Sequence, residues 1–242
     1  MKTLTVIAQN FINMIYPLRC LACGKDIEAL DGIRVCGLCL SKIRCNPKPH
    51  CVSCGRPVGS ASGLCPGCRR VKFHFDRAFS AYLYEDTLKE LIHLFKYNSK
   101  FSLGPVLSHL LIDFARENCE IIDGADIITY VPLHDKRLRE REFNQSKILA
   151  AHLASEFKMP LSDALKKTRL TKHQNELPKE ARLTNLCGAF SVTCDTVAGK
   201  KILLIDDVMT TGATLNECAK ALLDSGAERV RCLTLARAEQ ML

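Results

Sequence analysis

Four Cys-x-x-Cys pairs stand near the start of this chain: Cys20/Cys23, Cys36/Cys39, Cys51/Cys54 and Cys65/Cys68. A pair of this kind presents two thiolates to one ion, and two pairs complete a tetrahedron. One pair alone would be weak evidence, since redox motifs share it, but four within 49 residues point to two zinc ions. Twelve residues separate the first pair from the second, and ten separate the third from the fourth. The simplest pairing is therefore sequential; spacing alone leaves a cross-braced pairing open. Gly24 and Gly55 each follow a pair, where a tight turn favours a residue without Cβ. Sites closed by four cysteines are structural, because no coordination position remains for water or substrate. A stretch this short, with few large apolar side chains, could hardly build a core without them. Cys45 is left over and reads as a small buried apolar residue.

Charge divides at the same place. Residues 1–72 hold 11 Lys and Arg against 3 Asp and Glu, while residues 73–242 hold 23 of each sign, so the formal +8 sits entirely in the first third. Eight thiolates and two divalent ions bring this head to about +4. Arg56, Arg69, Arg70 and Lys72 cluster around the last two cysteine pairs, as a solvated face or as a contact for an anionic partner such as nucleic acid.

With 242 residues, 47% apolar and 25% charged, the chain falls outside the disordered and fibrous classes. No stretch approaches the ~18 apolar residues of a transmembrane helix. The N-terminus does not read as a signal peptide, because Gln9, Asn10 and Asn13 interrupt its apolar run and no small-x-small site follows. Leu4, Ile7, Ala8, Phe11, Ile12 and Ile15 recur at helical spacing, so residues 1–19 are expected to hold an amphipathic helix that ends before Pro17. The compartment expected is the cytoplasm, where metal thiolates are favoured over disulfides. Three units follow: residues 1–19, a double zinc ribbon over 20–72, and a body over 73–242.

In the body the pattern changes to apolar runs of about five residues alternating with helical periodicity. Strands are expected over 79–84, 127–131, 201–205 and 230–235, and helices over 87–95, 104–117, 144–157 and 214–225. Such alternation predicts an α/β fold with a mostly parallel sheet and helices on both faces. Cys119, Cys187, Cys194, Cys218 and Cys232 are isolated and read as packing residues.

The most informative segment runs Lys201-Ile-Leu-Leu-Ile-Asp206-Asp207-Val-Met-Thr210-Thr211-Gly212-Ala213-Thr214. An apolar strand delivers two acids, and a Thr/Gly loop then opens a helix. Backbone N–H groups and hydroxyls at a helix N-terminus make an anion site, and a glycine lets the backbone approach a phosphate closely. Carboxylates would repel that phosphate unless they address a ribose diol or a cation near it. The local chemistry thus asks for a sugar phosphate. A second segment, Val131 to Gln145, packs Lys136, Arg137, Arg139 and Arg141 into six residues, partly offset by Asp135, Glu140 and Glu142. Donors of this kind suit a pyrophosphate leaving group, whose charge grows as its bond breaks.

The first string resembles the phosphoribosyl-pyrophosphate (PRPP) signature of type I phosphoribosyltransferases. The resemblance assigns the ribose hydroxyls to Asp206 and Asp207. It assigns the 5′-phosphate to the loop of Thr210, Thr211, Gly212, Ala213 and Thr214, with Lys136 and Arg137 as further PRPP contacts. Asp206, Asp207, Arg137 and Arg141 would carry any catalysis. The whole chain, in order, resembles the ComF family of ComFC- and GntX-like competence proteins: four Cys pairs, V-P-L-x-x-x-R-x-x-x-R-x-F-N-Q, then Gln174, Leu177, Arg182, Asn185, Ala189 and Phe190, then the PRPP loop. Lys96-Tyr97 fits a family K-Y, and Glu142 stands where the family usually has Gly. This resemblance implies a type I phosphoribosyltransferase-like domain behind a double zinc ribbon, with magnesium accompanying PRPP. It also implies a role in DNA uptake on the cytoplasmic side of the inner membrane, with single-stranded DNA and competence-machinery proteins as partners. Two other readings stay open: an enzyme transferring 5-phosphoribose from PRPP to a base or amine, and a PRPP-sensing regulator. A hood over the site is assigned to residues 168–190.

Overall fold

The computed structural model describes residues 18–27, 34–59, 63–97, 100–170 and 186–238. The expected N-terminal helix, most of the hood, and Gln174, Leu177, Arg182 and Asn185 lie outside the described residues.

A parallel sheet organises the body. Strands β3 (Arg77–Leu83), β4 (Ile127–Tyr130), β7 (Lys201–Met209) and β8 (Arg229–Arg237) pair in the order β3-β8-β7-β4, every pair parallel. The central strands are apolar on both sides because both faces are covered. Leu203 and Ile205 of β7 and Leu233 of β8 pack into one cluster, and Ile202, Leu204 and Cys232 into the other. Helices Asp86–Tyr97, Gly104–Glu117 and Gln145–Glu156 cover the first face. The first of these buries Leu88, Leu91, Ile92 and Phe95, one stripe at helical spacing. The third begins where the Asn144 side chain accepts hydrogen bonds from the N–H groups of Ser146 (3.0 Å) and Lys147 (3.3 Å), a helix cap. Helix Ala213–Asp224 covers the second face through Leu215, Cys218, Ala219 and Leu222.

Four features differ from the expectations. β7 continues through the two acids to Met209, because its ladder with β8 persists: Asp206 faces Thr234, Val208 faces Ala236 and Met209 faces Arg237. A short antiparallel hairpin of β5 (Leu165–Lys167) and β6 (Phe190–Val192) stands apart from the main sheet. Cys45 is exposed rather than buried; its backbone forms an antiparallel bridge with Tyr82 beside β3. Of the five body cysteines only Cys218 and Cys232 are core residues, whereas Cys119 and Cys187 are exposed and Cys194 is half-buried.

The cysteine-rich head has two unlike halves. The first rests on a minimal hairpin, β1 (Leu18–Arg19) and β2 (Asp26–Ile27), and a single helical turn over Gly37–Leu40. The second, with a short helix over Pro66–Arg70, is seated on β3. Ala78 donates its N–H to the Ser53 carbonyl (2.8 Å), and the Asn46 amide bridges the carbonyls of Gly55 (2.8 Å) and Ser80 (3.1 Å). Gly55, at φ 65°, lies so close that a Cβ would stand 2.6 Å from the Ala78 oxygen. Only glycine serves both the turn and that approach.

Candidate functional site

Two metal centres are built from the cysteine pairs. Cys20, Cys23, Cys36 and Cys39 bring their sulfurs within 4.8 Å of one another, and so do Cys51, Cys54, Cys65 and Cys68. The pairing is therefore sequential. A tetrahedral ion with Zn–S bonds of about 2.3 Å sets its sulfurs about 3.8 Å apart; the Sγ atoms of Cys23 and Cys36 are 3.8 Å apart, and those of Cys54 and Cys65 are 3.7 Å apart. In each group a backbone N–H reaches a sulfur, from Cys36 to Cys20 (3.3 Å) and from Cys65 to Cys51 (3.2 Å). Burial opposes the thiolate at Cys20, yet the N–H donors of Cys36, Cys23 and Ala22 outweigh it and bring the thiol down to about 6. The same balance brings Cys51 to about 7. Four soft sulfurs at this spacing fit zinc, and they leave no open position for chemistry.

The body's site is a cleft of about 360 Å³ at the carboxyl end of β7, where ligands of parallel α/β sheets bind. Asp206, Asp207, Thr210 and Thr214 line it from β7 and the start of helix Ala213–Asp224. Arg137 and Arg141 line it from helix Asp135–Arg141, Lys96 from the end of helix Asp86–Tyr97, and Lys167 from β5. The two acids differ in their partners. Asp206 Oδ1 accepts from the Ser146 hydroxyl (2.8 Å) and from the Asp207 N–H (2.9 Å). Asp207 Oδ1 is paired with Lys96 Nζ at 2.8 Å, with both side chains largely buried. Burial and the adjacent Asp207 charge push the Asp206 carboxyl up to about 7, against the pull of Lys96 and Ser146. Lys96 is held above the usual lysine range, because Asp207 outweighs the burial that would lower it. Burial, followed by the nearby Arg137, brings Lys167 down to about 8.

The loop after the acids closes tightly. Gly212 adopts φ 83° and accepts the Asn216 N–H at 2.8 Å. A Cβ at this position would stand 2.7 Å from Met209 Cε and 3.3 Å from the Phe73 ring. Gly212 and Ala213 join Thr210 and Thr214 around a small hollow beside the cleft, and the Thr211 hydroxyl accepts the Ala213 N–H (3.3 Å). Lys136 is exposed and does not line the cleft; its N–H donates to His134 Nδ1 (3.2 Å) at the start of its helix. Glu142 adopts φ 67°, the left-handed conformation that glycine favours. It lines a neighbouring hollow with Phe101 and Lys166 rather than the cleft. Arg141 is positioned by Gln145 Oε1 (3.3 Å) and lies over the Tyr97 ring, 4.9 Å from its centre.

Ser146 and Lys167 were absent from the sequence reading of the site. Ser146 directly follows the F-N-Q string, a signal within reach. Lys167 carries none, since it arrives through a three-residue strand whose partner is 23 residues away in the chain.

The comparisons with known proteins reach both the cysteine-rich head and the body. Residues 11–70 match the double zinc ribbon domain, and residues 144–241 match the phosphoribosyl transferase domain. The chain is 30% identical to competence protein F of Haemophilus influenzae, over 95% of this chain and 99% of that one. It is 32% identical to the DNA utilization protein YhgH of Escherichia coli K12, over 91% and 97% of the two chains. Identity to competence protein ComFC of Bacillus subtilis is also 32%, over 84% of each. With its two four-cysteine groups ahead of a parallel-sheet phosphoribosyl transferase domain, the chain belongs to the ComF family, that of competence protein F, ComFC and YhgH.

Proposed function

We propose that this protein handles incoming DNA in natural transformation and binds PRPP in the cleft at the end of β7, with single-stranded DNA engaged by its basic surfaces. The observation that carries the PRPP reading is the division of labour within one cleft: two acids, a glycine-closed loop at a helix N-terminus, and a set of cations brought in by other elements. Asp206 and Asp207 accept hydrogen bonds from the ribose hydroxyls. The N–H groups and hydroxyls from Thr210 to Thr214 receive the 5′-phosphate. Arg137 and Arg141 face the pyrophosphate; Lys136 lies outside the cleft. Asp207 already has a cation in Lys96, so magnesium arrives with the ligand's phosphates rather than in a protein cage. The names of the relatives support the DNA role. Arg69, Arg70 and Lys72, all exposed, supply a phosphate-binding surface. Among the described residues no helix is long and apolar enough to cross a membrane, and we place the protein in the cytoplasm, held near the inner membrane by competence-machinery partners.

A second reading is transfer of 5-phosphoribose to a base or amine. It is favoured by Lys167, a half-buried amine brought down to about 8 and aimed into the same cleft from the hairpin. Calorimetry with PRPP and Mg²⁺, run beside a single-stranded oligonucleotide, tests the first reading. Absence of PRPP binding by the zinc-loaded protein overturns it. Pyrophosphate release on addition of free bases or amines would move the assignment to the second.

A further inference from the structure

The two four-cysteine groups differ in the burial of a neighbouring arginine: Arg34, two residues before Cys36 of the first, also has a buried Nε without a partner but is only half-buried as a residue. Arg237, at the end of β8, is 2% exposed and is the largest fully buried side chain of the body. Its Nη1 donates to the Cys54 carbonyl at 2.8 Å, and its Nη2 lies 3.7 Å from the Cys54 sulfur. Its Nε has no hydrogen-bond partner. Among the described residues no carboxylate forms an ion pair with it. A buried guanidinium with no counter-charge is strongly disfavoured. The nearest negative charge is the thiolate group of Cys51, Cys54, Cys65 and Cys68. Four thiolates around one divalent ion keep a net charge of −2, and all four of these cysteines are buried. Water cannot screen that charge as it can at the first centre, where Cys23 is exposed.

We propose that Arg237 is the counter-ion of the second four-cysteine site, and that it makes this site retain zinc while the first exchanges it. The guanidinium offsets half of the metal thiolate's charge, in a place where neither charge is favoured alone. The same contact ties the metal to the central strand of the sheet, since Arg237 pairs with Leu83 on one side and Met209 on the other. Among the described residues no such charged contact reaches the sulfurs of the first group, whose Cys20 and Cys39 meet the body through apolar packing. The inference needs only the metal fit and is independent of the PRPP reading.

The test is zinc release from the intact protein to a chromophoric chelator. Two phases of equal amplitude are expected, with the slow phase belonging to residues 51–68. Arg237→Gln keeps a donor for the Cys54 carbonyl but removes the charge. It should speed the slow phase by about tenfold or more, the size of losing one charge-assisted contact, and leave the fast phase unchanged. Arg237→Lys restores the charge and should return the slow phase to within about threefold of the original, well under that same scale. If the Gln variant does not fold, the same comparison is read by circular dichroism, with rescue by Lys expected. Two results overturn the proposal: a slow phase indifferent to Arg237→Gln, or a Lys variant as impaired as the Gln one in either readout.

Discussion

The two cysteine groups share their donors and nearly share their spacing, yet they belong to different environments. Around the first, Gly24 has nothing within 4 Å of where a Cβ would stand; around the second, the equivalent Gly55 touches β3. Cys23 is exposed, whereas all four cysteines of the second group are buried with Phe75, Ala78, Leu204 and Cys232 of the body. The chain leaving the second group runs straight to the loop that holds Gly212. Phe73 packs on Gly212, and His74 donates its N–H to Asn216 at 2.7 Å. The same motif thus meets the body twice: Cys20 and Cys39 join the apolar cluster of one sheet face with Phe79 and Ala81, and the second group is buried completely in the cluster of the other. The knuckle is followed by glycine in both, so the difference lies in the strand that Gly55 meets and Gly24 does not.

Metal loss gives the largest effect with which to break this comparison. The binding free energy of a structural zinc is about 10–16 kcal/mol, comparable to or larger than the stability of a whole domain. Cys36→Ser should cost one zinc and leave the cleft able to bind PRPP. Cys65→Ser should cost one zinc and the cleft with it, because the second group holds β3 and the segment under Gly212. Metal analysis with calorimetry on both variants checks this. Equal PRPP affinity in the two would show that the second group is no more part of the body than the first.

The acids test the opposite direction, body without head. Asp206→Asn should weaken PRPP by about tenfold or more, the value of a charged hydrogen bond at roughly 1.5–3 kcal/mol, with both zinc ions retained. Asp207→Asn has a second consequence. It leaves Lys96 buried without its partner, and breaking a buried pair on one side costs about 3–5 kcal/mol. Thermal unfolding should show that loss, and Lys96→Met in the same protein should recover most of the stability while binding stays weak. A fully stable Asp207→Asn protein would remove the pair from the account.

A smaller effect is expected from pH. Asp206 sits at about 7 in the free cleft, raised by burial and by Asp207. Ribose hydroxyls donate to the ionised carboxylate and so lower its pKa on binding. Binding then selects the deprotonated form, and PRPP affinity should rise as pH climbs from about 6 and level off above about 8, one unit either side of that value. Phosphate ionisation contributes over the same range, so the measurement is the difference between the original protein and Asp206→Asn. Parallel pH profiles would mean that Asp206 does not meet the diol.

Much of this was legible in the chain. The cysteine spacing set out both metal groups, and period and apolar runs located all four main strands and the larger helices. The acids and the Thr/Gly loop declared themselves because their chemistry is local: each residue lies within nine positions of the others. Lys96, Ser146 and Lys167 reach the cleft from three separate elements, and only tertiary packing brings them there. Arg237 was illegible for the same reason, since nothing around it in the chain announces a partner 183 residues away. Cys45 misled because burial was inferred from residue type, while its backbone pairs at a sheet margin and leaves the side chain outside.

The smallest effect separates charge on the second ribbon from charge in the cleft. Arg69 and Arg70 end the helix Pro66–Arg70, and with Lys72 they lie exposed on the segment that leads to Phe73 and the Gly212 loop. A single strand crossing this surface would release counterions, and log K against log salt should slope by about −0.7 for each phosphate neutralised. Replacing all three with Ala should flatten that slope by up to about 2, three phosphate contacts at this per-phosphate value. PRPP affinity should hold, because none of the three lines the cleft. The reverse pattern is expected of Arg137→Ala and Arg141→Ala, which line it: PRPP falls, and the DNA slope changes by less. Oligonucleotide binding measured at several salt concentrations distinguishes the two sets. If the ribbon variant keeps the full slope, the basic head is a solvated face and DNA engages the protein elsewhere. If both sets flatten the slope equally, the strand runs from the second ribbon into the cleft, and the two regions form one binding surface.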